Sequence, residues 1–272
     1  MTLNAYAPAP VSSGAAPAGI CRRYFIAVLI LTAVFTVTGC GNKADSKPVT
    51  ESSFQLGTLV ELTLYSGPGR QVFKKAFELI SAYENTLSRN IESSEVSEIN
   101  RNAGISPVVV SSDTFFVIEK GLYYSSLTGG LFDISIGPLV SLWGIGSEDA
   151  RLPTPDEIAS ALALVDHSKV RLTTGENSVF LEKEKMAIDL GAAAKGFIAD
   201  KVLELLTENS VKSAIINLGG NVVLLGRKPD GRLFRIGIQN PFDTRGSYLG
   251  ILEGENVSIV TSGIYERYIE EG

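Results

Sequence analysis

Past residue 185 the chain changes rhythm, and that change narrows the folds open to it more than any other feature. Short apolar runs at 186–190, 214–218, 222–225, 234–239, 248–252 and 257–261 alternate with turn residues, and only 195–207 interrupts them with helical spacing. Such runs, bounded by glycine, asparagine and charged residues, predict strands joined by short turns. The first half reads differently. "FQLGTLVELTLY" predicts a strand, after which Phe73, Ala76, Phe77, Ile80, Tyr83 and Leu87 recur at the spacing of one helical face. A second helix is expected from Asp113, burying Phe116, Leu122, Tyr123 and Leu127, with Gly129 and Gly130 placed to end it. A third is expected at "TPDE", where Thr154 caps, Pro155 opens the helix and Glu157 completes a capping box. Helices first and hairpins later predict an α+β fold, with helices packed on a largely antiparallel sheet. No internal repeat and no boundary inside the region 54–272 is visible.

The N-terminal segment stands outside that pattern. Arg22 and Arg23 precede "YFIAVLILTAVFTV", an apolar run of signal-peptide length, shorter than the roughly 20 residues of a spanning helix. Val37, Thr38, Gly39 and Cys40 follow, and the run resembles a bacterial lipobox, in which the cysteine sulfur receives a lipid. An ordinary signal peptide with a chance cysteine is the alternative. The expected organisation is a lipoprotein signal peptide over 1–39, a polar tether over 40–53 and a domain over 54–272. That places the domain outside the cytoplasm, facing the periplasm or the exterior and anchored to a bacterial membrane through Cys40. With Cys21 removed and Cys40 lipidated, no thiol is left for a disulfide, a metal or a nucleophile. The chain is acidic, with 30 Asp plus Glu against 24 Lys plus Arg, and no basic stripe is interleaved with aromatics. Both facts argue against nucleic acid as a partner.

Two stretches carry candidate chemistry. In "IDLGAAAKGFIAD", Asp189 closes an apolar run, residues 191–194 have almost no side-chain bulk, and Lys195 sits one turn into a helix. Backbone amides at a helix start can face an anion, and Lys195 adds a full positive charge, a combination suited to a pyrophosphate. A close strand-to-helix turn with a capping carboxylate explains the same residues. In "TGGLFDISIGPL", Phe132 and Asp133 could offer an aromatic face and a carboxylate to a heterocycle; a helix stop followed by a turn serves equally. "NLGGNVVLLG" reads as a hairpin, and "TSGIYERY" offers the hydroxyls of Thr261 and Ser262. His167 is the only histidine and has no acidic or cysteine companion at ligand spacing, so it reads as structural. A Ser-His-Asp triad and a histidine-based metal site are not to be expected.

Taken in series, "LGTLVEL", "LSRNIESSEVSEIN", "TGGLFDISIGPL", "IDLGAAAKGFIAD", "INLGGN" and "TSGIYERY" resemble the ApbE family of flavin transferases over 54–272. The resemblance implies binding of FAD, polarisation of its pyrophosphate by Mg²⁺, and transfer of FMN to a threonine hydroxyl of a target protein with release of AMP. The implied acceptor is a flavoprotein of a membrane or exported redox system. By match to the family motifs, Leu56, Asn90, Leu131, Phe132, Asp133, Asp189 and Lys195 would contact the flavin nucleotide, and Ala192 would lend its carbonyl to the metal. Asn90 stands where many relatives carry an aromatic residue. The family pattern continues past "TSGxYERY" into a His-x-x-Asp-Pro segment and further metal ligands, whereas the sequence here stops at "YIEEG". The resemblance therefore names no catalytic residue in this chain, and the sequence is expected to be a piece of a longer one, a truncated relative being the alternative. An FAD pyrophosphatase and a non-catalytic flavin-binding lipoprotein are the alternative readings.

Overall fold

The computed structural model describes residues 47–67, 69–244, 246–263 and 269. The signal segment, Cys40 and "TSGIYERY" from Ile264 to Tyr268 lie outside the described residues. In chain order the elements begin with strands β1 (Val49–Gln55) and β2 (Thr58–Leu64), then helices α1 (Gln71–Leu87) and α2 (Glu95–Arg101). Strand β3 (Val108–Val109) and helices α3 (Ser112–Leu127), α4 (Gly137–Trp143) and α5 (Pro155–Leu162) follow. Next come β4 (Val170–Thr173), β5 (Ser178–Leu181), α6 (Gly191–Glu208), β6 (Ala214–Leu218) and β7 (Asn221–Leu225). Strands β8 (Phe234–Gln239), β9 (Tyr248–Gly254) and β10 (Ser258–Val260) close the described chain.

A five-stranded antiparallel sheet, in the order β1-β2-β6-β7-β10, carries the core. Its register sets Val60, Leu62 and Leu64 of β2 opposite Leu218, Ile216 and Ala214 of β6, and all six are buried. One face of the sheet is thus a continuous apolar surface, as period-two alternation dictates. α1 covers it with Val72, Phe73, Ala76, Ile80 and Leu87, so the expected helical face is observed, with Phe77 and Tyr83 at its margin. α6 adds Ala194, Ile198, Ala199, Val202 and Leu206 along one stripe. Each large side chain so buried contributes about 1.5–3 kcal/mol. The fold is α+β with antiparallel sheets, as expected.

Two hairpin turns meet at one end of this sheet. Gly219 and Gly220 join β6 to β7 with φ of 62° and 88°, as the glycines of "NLGG" predict. A Cβ on Gly219 would lie 2.4 Å from the Thr58 side chain, so glycine is required for the turns to abut. The other turn corrects an expectation. "FQLGTLVELTLY" is no single strand: Gln55 pairs with Thr58, and Leu56 and Gly57 turn the chain with φ of 56° and 65°. Leucine rarely adopts left-handed backbone, and nothing in the local pattern announces it.

Two further expectations are overturned. The face buried by α3 is not Phe116, Leu122, Tyr123 and Leu127: Phe116, Tyr123 and Leu127 are exposed and Leu122 is half-buried. Phe115, Ile118, Gly121 and Ser125 face inward instead. Packing is close at Gly121, where a Cβ would sit 2.6 Å from Ile134, so this glycine lies on the face turned to the core. The run 186–190 is buried at Met186, Ile188 and Leu190 but forms no strand. It runs as an extended segment with one parallel bridge, Ile136 to Ala187. The expected helix stop at Gly129 and Gly130 is present, with the Gly130 amide donating to Ser125 O at 2.8 Å. The capping box of Thr154 and Glu157 forms as read. α2, α4 and the second sheet, in the order β3-β5-β4, were not anticipated.

Candidate functional site

The start of α6 opens into a cleft of about 810 Å³, within the size range of small-molecule sites. Three groups of residues wall it. The first hairpin supplies Phe54, Leu56 and Gly57; the end of α1 and the turn after it supply Tyr83, Glu84, Leu87 and the run Ser88, Arg89, Asn90 and Ile91. α4 and its exit loop supply Val140, Ser141, Ile145 and Ser147, and the base holds Asp189, Gly191, Ala194, Lys195 and Ile198. Leu56, Asn90, Asp189 and Lys195, four of the residues marked in sequence, therefore share one cleft across distant parts of the chain.

The base is fixed by hydrogen bonds that compensate for the missing strand. Asn100 Nδ2 donates to Ile188 O at 3.0 Å while the Ile188 amide donates to Asn100 Oδ1 at 2.8 Å. A side-chain amide thus completes the backbone pairing that a neighbouring strand would otherwise supply. One residue on, the Asp189 amide donates to Ile134 O at 2.8 Å. The Asp189 carboxylate then accepts the Gly191 amide at 2.8 Å and so caps the turn into α6. Lys195 follows on the next turn, its Nζ 3.5 Å from Gly191 O. Ala192 is exposed in the first turn of the helix. Above the base, burial and the Asp113 carboxylate, 2.7 Å from the Tyr83 hydroxyl, push the Tyr83 phenol well above its ordinary range. Tyr83 therefore stays neutral and serves as a wall, stacked edge-on to Phe197 at 5.3 Å.

Leu131, Phe132 and Asp133 take a different place. Their segment runs beside 187–189, through the Ile136 to Ala187 bridge, yet none of the three lines the cleft. Leu131 is 94% exposed and Phe132 rests against the core. Asp133 Oδ1 accepts both the amide and the hydroxyl of Ser135, at 2.8 and 2.6 Å. Its Oδ2 lies 3.0 Å from the His167 amide and 3.0 Å from His167 Nδ1. Burial alone would raise the Asp133 carboxyl, but the Ser135 and His167 hydrogen bonds outweigh it and hold it below the ordinary carboxylate value. His167, read from sequence as without an acidic companion, has one in space.

Sequence reasoning missed Arg89, Ser141 and Phe54. Arg89 Nη1 stands 3.4 Å from Asp189 Oδ2 and Nη2 donates to Ser141 Oγ. A lone arginine inside "LSRN" has no periodicity to mark it, and its carboxylate partner is 100 residues away. Ala192, expected to lend its carbonyl to magnesium, is not among the residues that line the cleft, and among the described residues no three His, Cys, Asp or Glu side chains converge. The described residues therefore do not form a side-chain cage for the ion, and Mg²⁺ commonly draws most of its ligands from phosphate and water.

Fold and cleft together describe an α+β domain with a cleft of small-molecule size. Residues 56–272 match the model of the ApbE family, and the chain belongs to that family. Among similar proteins is the FAD:protein FMN transferase of Treponema pallidum (strain Nichols), 34% identical over 267 residues, which cover 92% of this chain and 74% of that one. An FAD:protein FMN transferase of Klebsiella pneumoniae (strain 342) is 39% identical over 228 residues, 84% of this chain and 70% of the relative. Among solved structures, the ApbE protein of Thermotoga maritima superposes with a TM-score of 0.76 at 27% identity, covering 83% of this chain and 73% of that one. The flavin transferase ApbE of Vibrio cholerae gives 0.73 at 27% identity, covering 80% and 72%.

Proposed function

We propose that this chain transfers FMN from FAD to a threonine hydroxyl of an exported or membrane protein, with AMP as the second product. The observation that carries the reading is the juxtaposition of Lys195 and the first turn of α6 with the apolar walls Leu56, Val140 and Ile145 in one cleft. A dinucleotide needs both: a cationic base for its diphosphate and apolar surface for its rings. Family membership and the names of the relatives support the same substrate.

In the proposed reaction the threonine oxygen attacks the phosphorus of the FMN half, and the anhydride bond to the AMP phosphate breaks. AMP keeps the bridging oxygen and the bonding electron pair, and the threonine proton passes to a base. Lys195 binds and orients the diphosphate and offsets the charge that spreads over its oxygens. Asp189 holds the Gly191 turn and so fixes the start of the helix that carries Lys195 into the cleft. Mg²⁺, when bound with help from the Ala192 carbonyl, would supply further charge neutralisation at the phosphoryl oxygens.

Incubating the full-length protein with FAD, Mg²⁺ and a threonine-bearing acceptor domain of a flavoprotein tests this. Acceptor-bound FMN with stoichiometric AMP is the expected result. Free FMN with AMP would replace the transferase reading with a pyrophosphatase, and unchanged FAD would leave a flavin-binding lipoprotein.

A further inference from the structure

The Arg89 guanidinium is anchored at the junction of α1, α4 and the segment before α6, yet its donors are not all satisfied. Its side chain is 18% exposed, as is that of Asp189. The 3.4 Å separation from Asp189 Oδ2 is long for a contact between charges, which closes to about 2.7–2.9 Å in good geometry. Asp189 is held back by its other oxygen, which accepts the Gly191 amide. Nη2 donates to Ser141 Oγ, a neutral and exposed acceptor. Nε is buried with no acceptor among the described residues. An arginine fork has five N–H donors and binds phosphate through two parallel hydrogen bonds; here it meets one distant carboxylate oxygen and one hydroxyl. Buried donors without acceptors are destabilising and rarely kept in a wall that serves packing alone.

Position adds to the argument. Arg89 lines the cleft together with Lys195, and Asp189, the carboxylate 3.4 Å from Arg89, lines it too. Arg89 and Lys195 are the two cations among the lining residues, beside the carboxylates of Glu84 and Asp189, and a ligand that brings more than one negative charge can draw on both.

We propose that Arg89 is a phosphate-binding residue of the cleft, exchanging its Ser141 contact for the diphosphate of the dinucleotide. It thereby favours ligands that carry a diphosphate over the bare riboflavin ring system. The proposal rests on the flavin-nucleotide reading above and adds a second cation to Lys195.

The test is titration of wild type, Arg89→Met and Arg89→Lys with FAD, ADP and riboflavin, each variant checked for its melting transition. Arg89→Met is expected to weaken FAD and ADP by roughly 10- to 100-fold, the range for one hydrogen bond to a charged group. Riboflavin, which has no phosphate, is expected to bind all three proteins alike and so reports an intact cleft. Arg89→Lys keeps the charge without the fork and is expected to recover part of the ADP affinity. Unchanged FAD and ADP affinity in Arg89→Met, or equal loss for riboflavin, overturns the proposal and makes Arg89 a structural latch. Wild type that binds ADP through Arg89 but gains nothing from the flavin would sink the flavin reading and keep the Arg89 proposal. Wild type that binds none of the three sinks both.

Discussion

At the residue scale Lys195, which lines the cleft, and Asp133, which does not, give different predictions. Lys195 stands at the base beside Gly191, so Lys195→Ala is expected to weaken FAD by about 1.5–3 kcal/mol; a calorimetric titration showing unchanged affinity in a folded variant would refute its role. Asp133 is different. Its carboxylate is consumed by Ser135 and His167, and its side chain is only 8% exposed. Asp133→Asn is expected to lower stability by about 1–3 kcal/mol, through hydrogen bonds lost in a buried network. The pH dependence has a definite sign. Because the native carboxyl titrates below its ordinary value of 3.8, its contribution is complete above that value and is lost as pH falls through the lower native one. The gap in melting temperature between wild type and Asp133→Asn should therefore be constant near neutrality and close in acid. A gap that widens in acid would contradict the hydrogen-bond assignment.

At the scale of elements, the turns beside the cleft are less forgiving than turns elsewhere. Gly219→Ala puts a methyl group 2.4 Å from Thr58 at a φ of 62°. The backbone strain and the overlap add to roughly 2–5 kcal/mol. Gly231→Ala also meets a positive φ, 85°, but has open space around it, so only the strain of about 1–2 kcal/mol remains. Urea midpoints of the two variants give the comparison, and equal losses would show that the contact with Thr58 is relieved by small shifts. The same elements show how far sequence reading reaches. β6, β7 and the capping box of α5 were legible because each is encoded within a few residues: alternation, a Gly-Gly turn, a Thr and Glu three positions apart. The left-handed Leu56 and the inward face of α3 were not, since neither a positive φ at leucine nor the close packing at Gly121 has a mark in the local pattern. Ile134 packs against Gly121, a contact that the helical spacing of α3 does not reveal. The cleft divides the same way. Asp189 and Lys195 lie in one conspicuous run, whereas Arg89 becomes a site residue only when the fold places it against Asp189.

For the whole molecule, export and anchoring are a proposal that rests on the sequence, because Cys40 lies outside the described residues. Among those that are described, no helix is long and apolar enough to cross a membrane. We propose attachment through a lipid on Cys40; Cys40→Ser is expected to leave an unprocessed precursor, and mass spectrometry of the wild type finding normal cleavage without lipid would remove the idea. The remaining consequence comes from α6. One rod carries Gly191 and Lys195 into the cleft and, farther along, Ile198, Val202 and Leu206 into the core against the sheet. Loosening the rim of the site therefore tugs on the interior, and denaturation should dismantle both in a single cooperative event. Occupancy then registers in the calorimeter: a ligand at a hundred times its dissociation constant raises the unfolding free energy by about 2.7 kcal/mol. Heat can thus rank candidate nucleotides before any acceptor protein is in hand.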